Sequence, residues 1–245
     1  MHPFIYSIGP VVGSTGAVDI ACPVHRANDI LLAYFESDNQ EIATEDNWGI
    51  VPDAPQGTGT PADLTATRLS VFWRRAADGA TPNFGVADPG DHHCGFIIAV
   101  RGCIISGNPW DVTAGDVEAT GSTSGVIPGD TTTVDECLVI AAISNSTDGG
   151  ATQHTVPANA DLEGVVMWDF ARVNGVIGPI QIAQGNGGGL ALICGVKLVA
   201  GAFGTTTVTL ATSSKQGRHV MALKPASAPG GNRRARLPRG LSRMG

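Results

Sequence analysis

The chain has 245 residues, a formal net charge of −7, 42% hydrophobic and 15% charged residues, with 33 Gly and 15 Pro. That apolar share can fill a core and excludes global disorder, while the scarcity of charge disfavours helical bundles, which need long solvated faces. Glycine and proline at this density are turn chemistry, and the class they leave is all-β.

Short runs of Val, Ile, Thr and aromatics recur between Gly, Pro, Asn and Asp clusters, the pattern of a β-sandwich or barrel. In chain order they place strands at 4–8, 18–22, 30–35, 68–74, 95–101, 137–144, 165–173, 190–198, 206–211 and 219–223, about ten in all. The fold expected is an antiparallel, jelly-roll-like β-sandwich over 1–225 followed by a C-terminal arm, 226–245. In the run from Leu69 to Arg74, Leu69, Val71 and Trp73 share one face and Ser70, Phe72 and Arg74 the other. Phe72 on the polar face predicts either a sheet covered on both sides or a contact with another subunit. Val208 and Leu210 face inward between outward Thr207, Thr209 and Ala211. The unbroken apolar runs 97–100 and 138–143 suit strands covered on both faces. Residues 36–66 and 104–136, rich in Pro, Gly, Asp and Thr, are expected to be loops or short hairpins that bind something and hold minor strands of their own.

The N-terminus has no basic start leading into an apolar stretch, so no secretory signal is read, and no apolar run reaches the roughly 18–20 residues of a membrane-spanning helix. The five cysteines, Cys22, Cys94, Cys103, Cys137 and Cys194, are scattered and expected to be free thiols. Charge is uneven: the body to residue 225 holds ten basic against 22 acidic residues, a balance of −12, and the arm holds five Arg and no acid. Arg233, Arg234, Arg236, Arg239 and Arg243 are therefore the expected partner-binding residues, docking on an acidic protein surface in preference to nucleic acid.

No catalytic, metal or cofactor site is expected. Asp91-His92-His93-Cys94 groups metal-ligating residue types, but neighbours on a strand face opposite ways, so His92 and His93 share an ion only across a turn. There is no G-x-S-x-G or H-E-x-x-H motif, and the glycines at 185–189 lack the Lys-Ser/Thr of a phosphate loop. Trp48 and Trp110 are candidate glycan contacts, which gives the alternative reading: a carbohydrate- or receptor-binding module using 36–66 and 104–136.

The series Asn28-Asp29-Ile30-Leu31-Leu32-Ala33, Trp48-Gly49, Arg68-Leu69-Ser70-Val71-Phe72-Trp73-Arg74, Arg101-Gly102, Asn108-Pro109-Trp110-Asp111, Thr131-Thr132-Thr133, Leu138-Val139 and Met221-Ala222-Leu223-Lys224-Pro225 resembles a β-rich virion structural protein of tailed bacteriophages and prophages. The resemblance spans 28–225. It implies a non-enzymatic tail, fibre or head-surface component located in the virion, and no catalytic residues come with it. A sandwich with long small-residue loops and a terminal arm suits symmetric assembly, so a homo-oligomer that joins other virion proteins through its sheet faces and basic arm is expected, with a host surface glycan as a further candidate partner.

Overall fold

The computed structural model describes residues 2–61, 63, 65–77, 81, 83–87, 90, 92–147, 153–168 and 188–226. The first half supplies β1 (Phe4–Ile8), β2 (Val12–Ser14), β3 (Val18–Ile20), β4 (Ile30–Ser37), β5 (Gly49–Ile50), β6 (Gln56–Thr58), β7 (Thr67–Arg75), β8 (Phe84–Val86) and β9 (His93–Arg101). The second supplies β10 (Trp110–Ile127), β11 (Asp130–Thr132), β12 (Cys137–Asn145), β13 (His154–Ala158), β14 (Glu163–Trp168), β15 (Gly189–Lys197), β16 (Gly201–Phe203) and β17 (Thr206–Leu223). All strand pairing among the described residues is antiparallel.

The sandwich expected from the sequence is present, with seventeen strands among the described residues instead of about ten. The main difference lies at 104–136, where a long 18-residue strand, β10, stands in place of the expected loop or short hairpins with minor strands. Its Thr, Ser and Gly residues and weak burial hide the alternation of apolar and polar side chains, because an edge strand packs little against a core.

The two halves share one wiring. The main sheet of the first runs β1-β9-β4-β7-β5 and that of the second β10-β17-β12-β15-β14. Numbering the five strands of each main sheet in chain order, the second is central, the first lies beside the last and the third is at the far edge, and a separate ribbon joins β3 to β8 in one half and β11 to β16 in the other. Nested pairs of this kind, first with last and second with next-to-last, are what a long hairpin makes when it rolls up, and they are the jelly-roll order.

Register makes the equivalence residue by residue. Ile30 stands opposite Val100 and Arg75, and Leu138 opposite Leu223 and Val196. On that alignment Asn28 corresponds to Glu136, and both hold a left-handed backbone, φ 69° and 60°. The edge strands carry a bulge at the same place: Ile5 and Trp110 sit opposite Val100 and Leu223, and the register then shifts before Ser7 and Val112.

The main sheets pack face to face. Ile30, Leu32, Tyr34, Val71 and Phe96 of one meet Leu138, Ile140, Leu192, Met221 and Leu223 of the other, all buried. Equivalent ends meet, since Thr67 bonds Ser144 at one end and Cys103 bridges Pro225 at the other. The outer faces are covered too. Phe35, Phe72 and Ile97 pack beneath the β3–β8 ribbon with Phe84 and Trp48, and Val139, Ile143 and Val220 pack beneath Phe203 of β16. Phe72 is thus satisfied inside the chain, and the continuous apolar runs of β4, β9 and β12 follow from coverage on both faces.

Candidate functional site

Trp48 is 5% exposed and packs edge-on against Phe84 at 5.2 Å, which withdraws its ring from any sugar. Trp110 is half-buried, with its ring T-shaped against Trp73 at 5.0 Å. The structure does not bring the two together: Trp48 belongs to the outer core of the first half and Trp110 to the rim of the central core. The arm residues Arg233, Arg234, Arg236, Arg239 and Arg243 lie outside the described residues. All five cysteines are free thiols.

At one end of the central core the two halves close over a buried polar cluster. Strand alternation turns Glu36, after Ile30, Leu32 and Tyr34, into the space between the sheets, where its equivalent is Ser144. Thr67 Oγ1 lies 3.0 Å from both Glu36 Oε1 and Ser144 Oγ. His92 Nε2 stands 3.2 Å from Glu36 Oε1, and Cys94 Sγ reaches Glu36 Oε2 at 3.9 Å. Gly188 seals the cluster, since a Cβ there would sit 2.4 Å from Glu36 Oε2. Burial pushes the Glu36 carboxyl up to about 7, against the downward pull of His92 and Thr67. Such a pair can take up a proton, but Glu36 and His92 are 0% and 1% exposed. Among the described residues no group of three or more His, Cys, Asp and Glu is placed to hold a metal ion.

The opposite end is where the arm begins. Ala226 N donates to Gly102 O at 2.6 Å, and Cys103 bridges Pro225. Beside them is a cavity of about 300 Å³ lined by Arg26, Asn28, Asp29, Arg101, Ile105 and Ala226, among others. Arg101 forms a two-pronged bond to Asp29, at 2.9 and 2.7 Å, and lies 3.5 Å from the centre of the Tyr6 ring. Apolar side chains are bare in the adjoining loops: Val24 at 73% and Ile105 at 68%, with Val199 at 69% in the turn that follows β15 at the same end.

A third feature is the edge of the second sheet. Among the described residues β10 bonds β17 on one side and has no strand on the other. It carries Asp111, Asp116 and Glu118 and no Lys or Arg. Arg218 of β17, 7% exposed, is shared between Asp116 at 3.6 Å and Glu118 at 3.7 Å.

The sequence missed the Glu36 cluster, though a signal was there: a carboxylate closing an otherwise apolar strand, Ile30–Ser37, has to face the core or its cover. It also missed the β10 edge, for the reason given above.

Among the described residues no helix is long and apolar enough to cross a membrane. Comparison with protein-family models, curated proteins and solved structures finds no match to the chain.

Proposed function

We propose that this protein is a non-enzymatic structural component of a tailed-phage virion, tail- or fibre-associated or on the head surface, which assembles with copies of itself through its basic C-terminal arm. The carrying observation is the anchorage of the arm. Its root is bonded to the body at Gly102 and Cys103, so five arginines leave a fixed point on a body of charge −12. A tethered segment of one sign on a body of the other favours exchange between neighbours, because each copy offers both the ligand and its receptor.

The covering of the sheets narrows how such a protein can assemble. Both faces of the central strands are used within the chain, so sheet edges, loop ends and the arm remain for partners. Val24, Ile105 and Val199 around the arm root suit a second apolar surface at that end. The test is incorporation of a chain lacking 227–245 into particles. Loss of the truncated chain from purified particles, with its melting temperature unchanged, is the expected result. Retention at the full-length level overturns the role of the arm, and absence of the full-length chain from particles overturns the virion reading.

A further inference from the structure

Resting on that reading of the arm, we propose that the edge of β10, open among the described residues, is the seat for the arm of a second copy of this chain, added there as an antiparallel strand. Main-chain donors and acceptors on an unpaired edge invite another strand, and proteins normally keep such edges short or covered. Here the edge strand of the first sheet, β1, has five residues, and its equivalent β10 has 18. The stretch from Val112 to Glu118 keeps an unbroken register with β17, so it presents a regular template.

Spacing and charge select the occupant. Asp116 and Glu118 are two residues apart and therefore on one face of the strand. Arg218 alone is shared between them, which leaves the pair net negative. Arg234 and Arg236 are likewise two residues apart, in a segment without acidic residues. Antiparallel addition with Asp116 opposite Arg236 and Glu118 opposite Arg234 puts Ala235 opposite Val117, itself 36% exposed, and gives each carboxylate its own cation. Pro238, which cannot donate to the ladder, then falls beyond Gly115, outside the charged pairs.

Reach makes the partner a second copy. The arm starts at the Trp110 end of β10, where Lys224 N bonds Pro109 O. Glu118 lies eight residues along the strand, roughly 27 Å at about 3.4 Å per residue. The chain from Ala226 to Arg234 covers about the same distance only when fully extended. It would also have to cross from Gly102 and turn back at Pro229, Gly230 and Gly231, so the arm of the same chain is too taut for this pairing. An arm from a neighbour has no such limit.

The test measures solution mass by light scattering after size exclusion at low ionic strength, on the full chain and three variants. The full chain is expected as a dimer or larger, and both D116K/E118K and R234E/R236E as monomers. The chain combining both reversals is expected to recover the assembled mass, which a variant that merely fails to fold cannot do. If R234E/R236E is a monomer while D116K/E118K keeps the full mass, the arm docks elsewhere: the β10 seat is overturned and arm-mediated assembly stands. Failure of the combined variant to reassemble also overturns the seat. A monomeric full chain overturns both.

Discussion

The two halves of the molecule have the same strand order, the same ribbon over the outer face and the same bulge in the edge strand, yet fill them with different chemistry. Beneath its ribbon the first half packs rings: Phe84 lies 5.0 Å from Phe35 and from Phe72, and 5.2 Å from Trp48. The second uses Val139, Ala141, Ile143, Ala191, Ile193 and Val220, with Phe203 the one aromatic of that cluster among the described residues. The same wiring therefore tolerates two packings. What they share is strand alternation, turn geometry and covered faces, so these features specify the topology and the choice of side chain sets how it is filled.

The largest expected effect tests whether the halves are thermodynamically separate. Phe72→Ala should cost about 3–5 kcal/mol, the usual figure for deleting a buried ring. Because both halves line the central core, the loss should appear in one cooperative denaturant transition seen alike by tryptophan fluorescence and far-UV circular dichroism. Two separated transitions would show that the halves fold independently.

A second test concerns Glu36, which stands where the other half has Ser144. Its carboxyl is raised to about 7 from an ordinary 4.5, so between those values the folded chain holds a proton that the unfolded chain has released. Stability from this group is thus greatest below pH 4.5 and falls as pH rises to about 7. Glu36→Gln removes the buried charge and should raise stability at pH 8 by about 3 kcal/mol, the worth of such a shift. Urea melts at pH 5 and pH 8 check it, and an unchanged difference between them would refute the assignment.

His219 occupies the position of Phe96 in the other half, and its Nε2–H donates to Pro52 O, 3.0 Å away. Burial lowers it, and His154 with it, to about 4. Here the unfolded chain takes up the proton first, so stability is lost as pH falls from 6.5 towards 4. His219→Phe should flatten that acid limb while costing about 1 kcal/mol at pH 7 for the lost hydrogen bond. Melting temperatures from pH 7 to pH 4 measure both.

The smallest effect compares Asn28 with Glu136. Asn tolerates a left-handed backbone and Glu does so at a cost, so Glu136→Gly should stabilise by up to about 1 kcal/mol and Asn28→Gly by less. A larger gain at Asn28 would contradict the equivalence of their strain.

The strands that build the centre were legible because burial on both faces leaves an apolar run that no other element explains: 30–35, 95–101, 137–144 and 190–198 all fall on central strands. The doubling was not legible. Leu32 corresponds to Ile140 and Phe96 to His219, pairs that share a facing direction but little chemistry, so the repeat lives in register and turn geometry. Short strands such as β5 and β8 were missed because two or three residues show no period. In the sequence Trp48 reads as a candidate surface ring, but its place under the ribbon depends on long-range packing against Phe84. The Glu36 cluster needs three strands from one half and one from the other, a proximity that only the fold supplies.

The nested pairing within each half has a consequence for the order of events on the ribosome. Every main-sheet pair of the first half closes by Arg101, before β10 begins, so that half can complete its sheets while the second is still being made. Its inner face, with Leu32, Tyr34, Val71 and Phe96, then waits uncovered for the partner strands of the same chain. β10 must wait longer still, because its pairing with β17 spans about a hundred residues, a long loop to close. The nascent chain thus passes through a stage in which a finished sandwich half shows a large apolar face to its surroundings. Close ranks of ribosomes on one message would bring two such faces together, and the wrong couple, first half with first half, competes with the correct one at that moment.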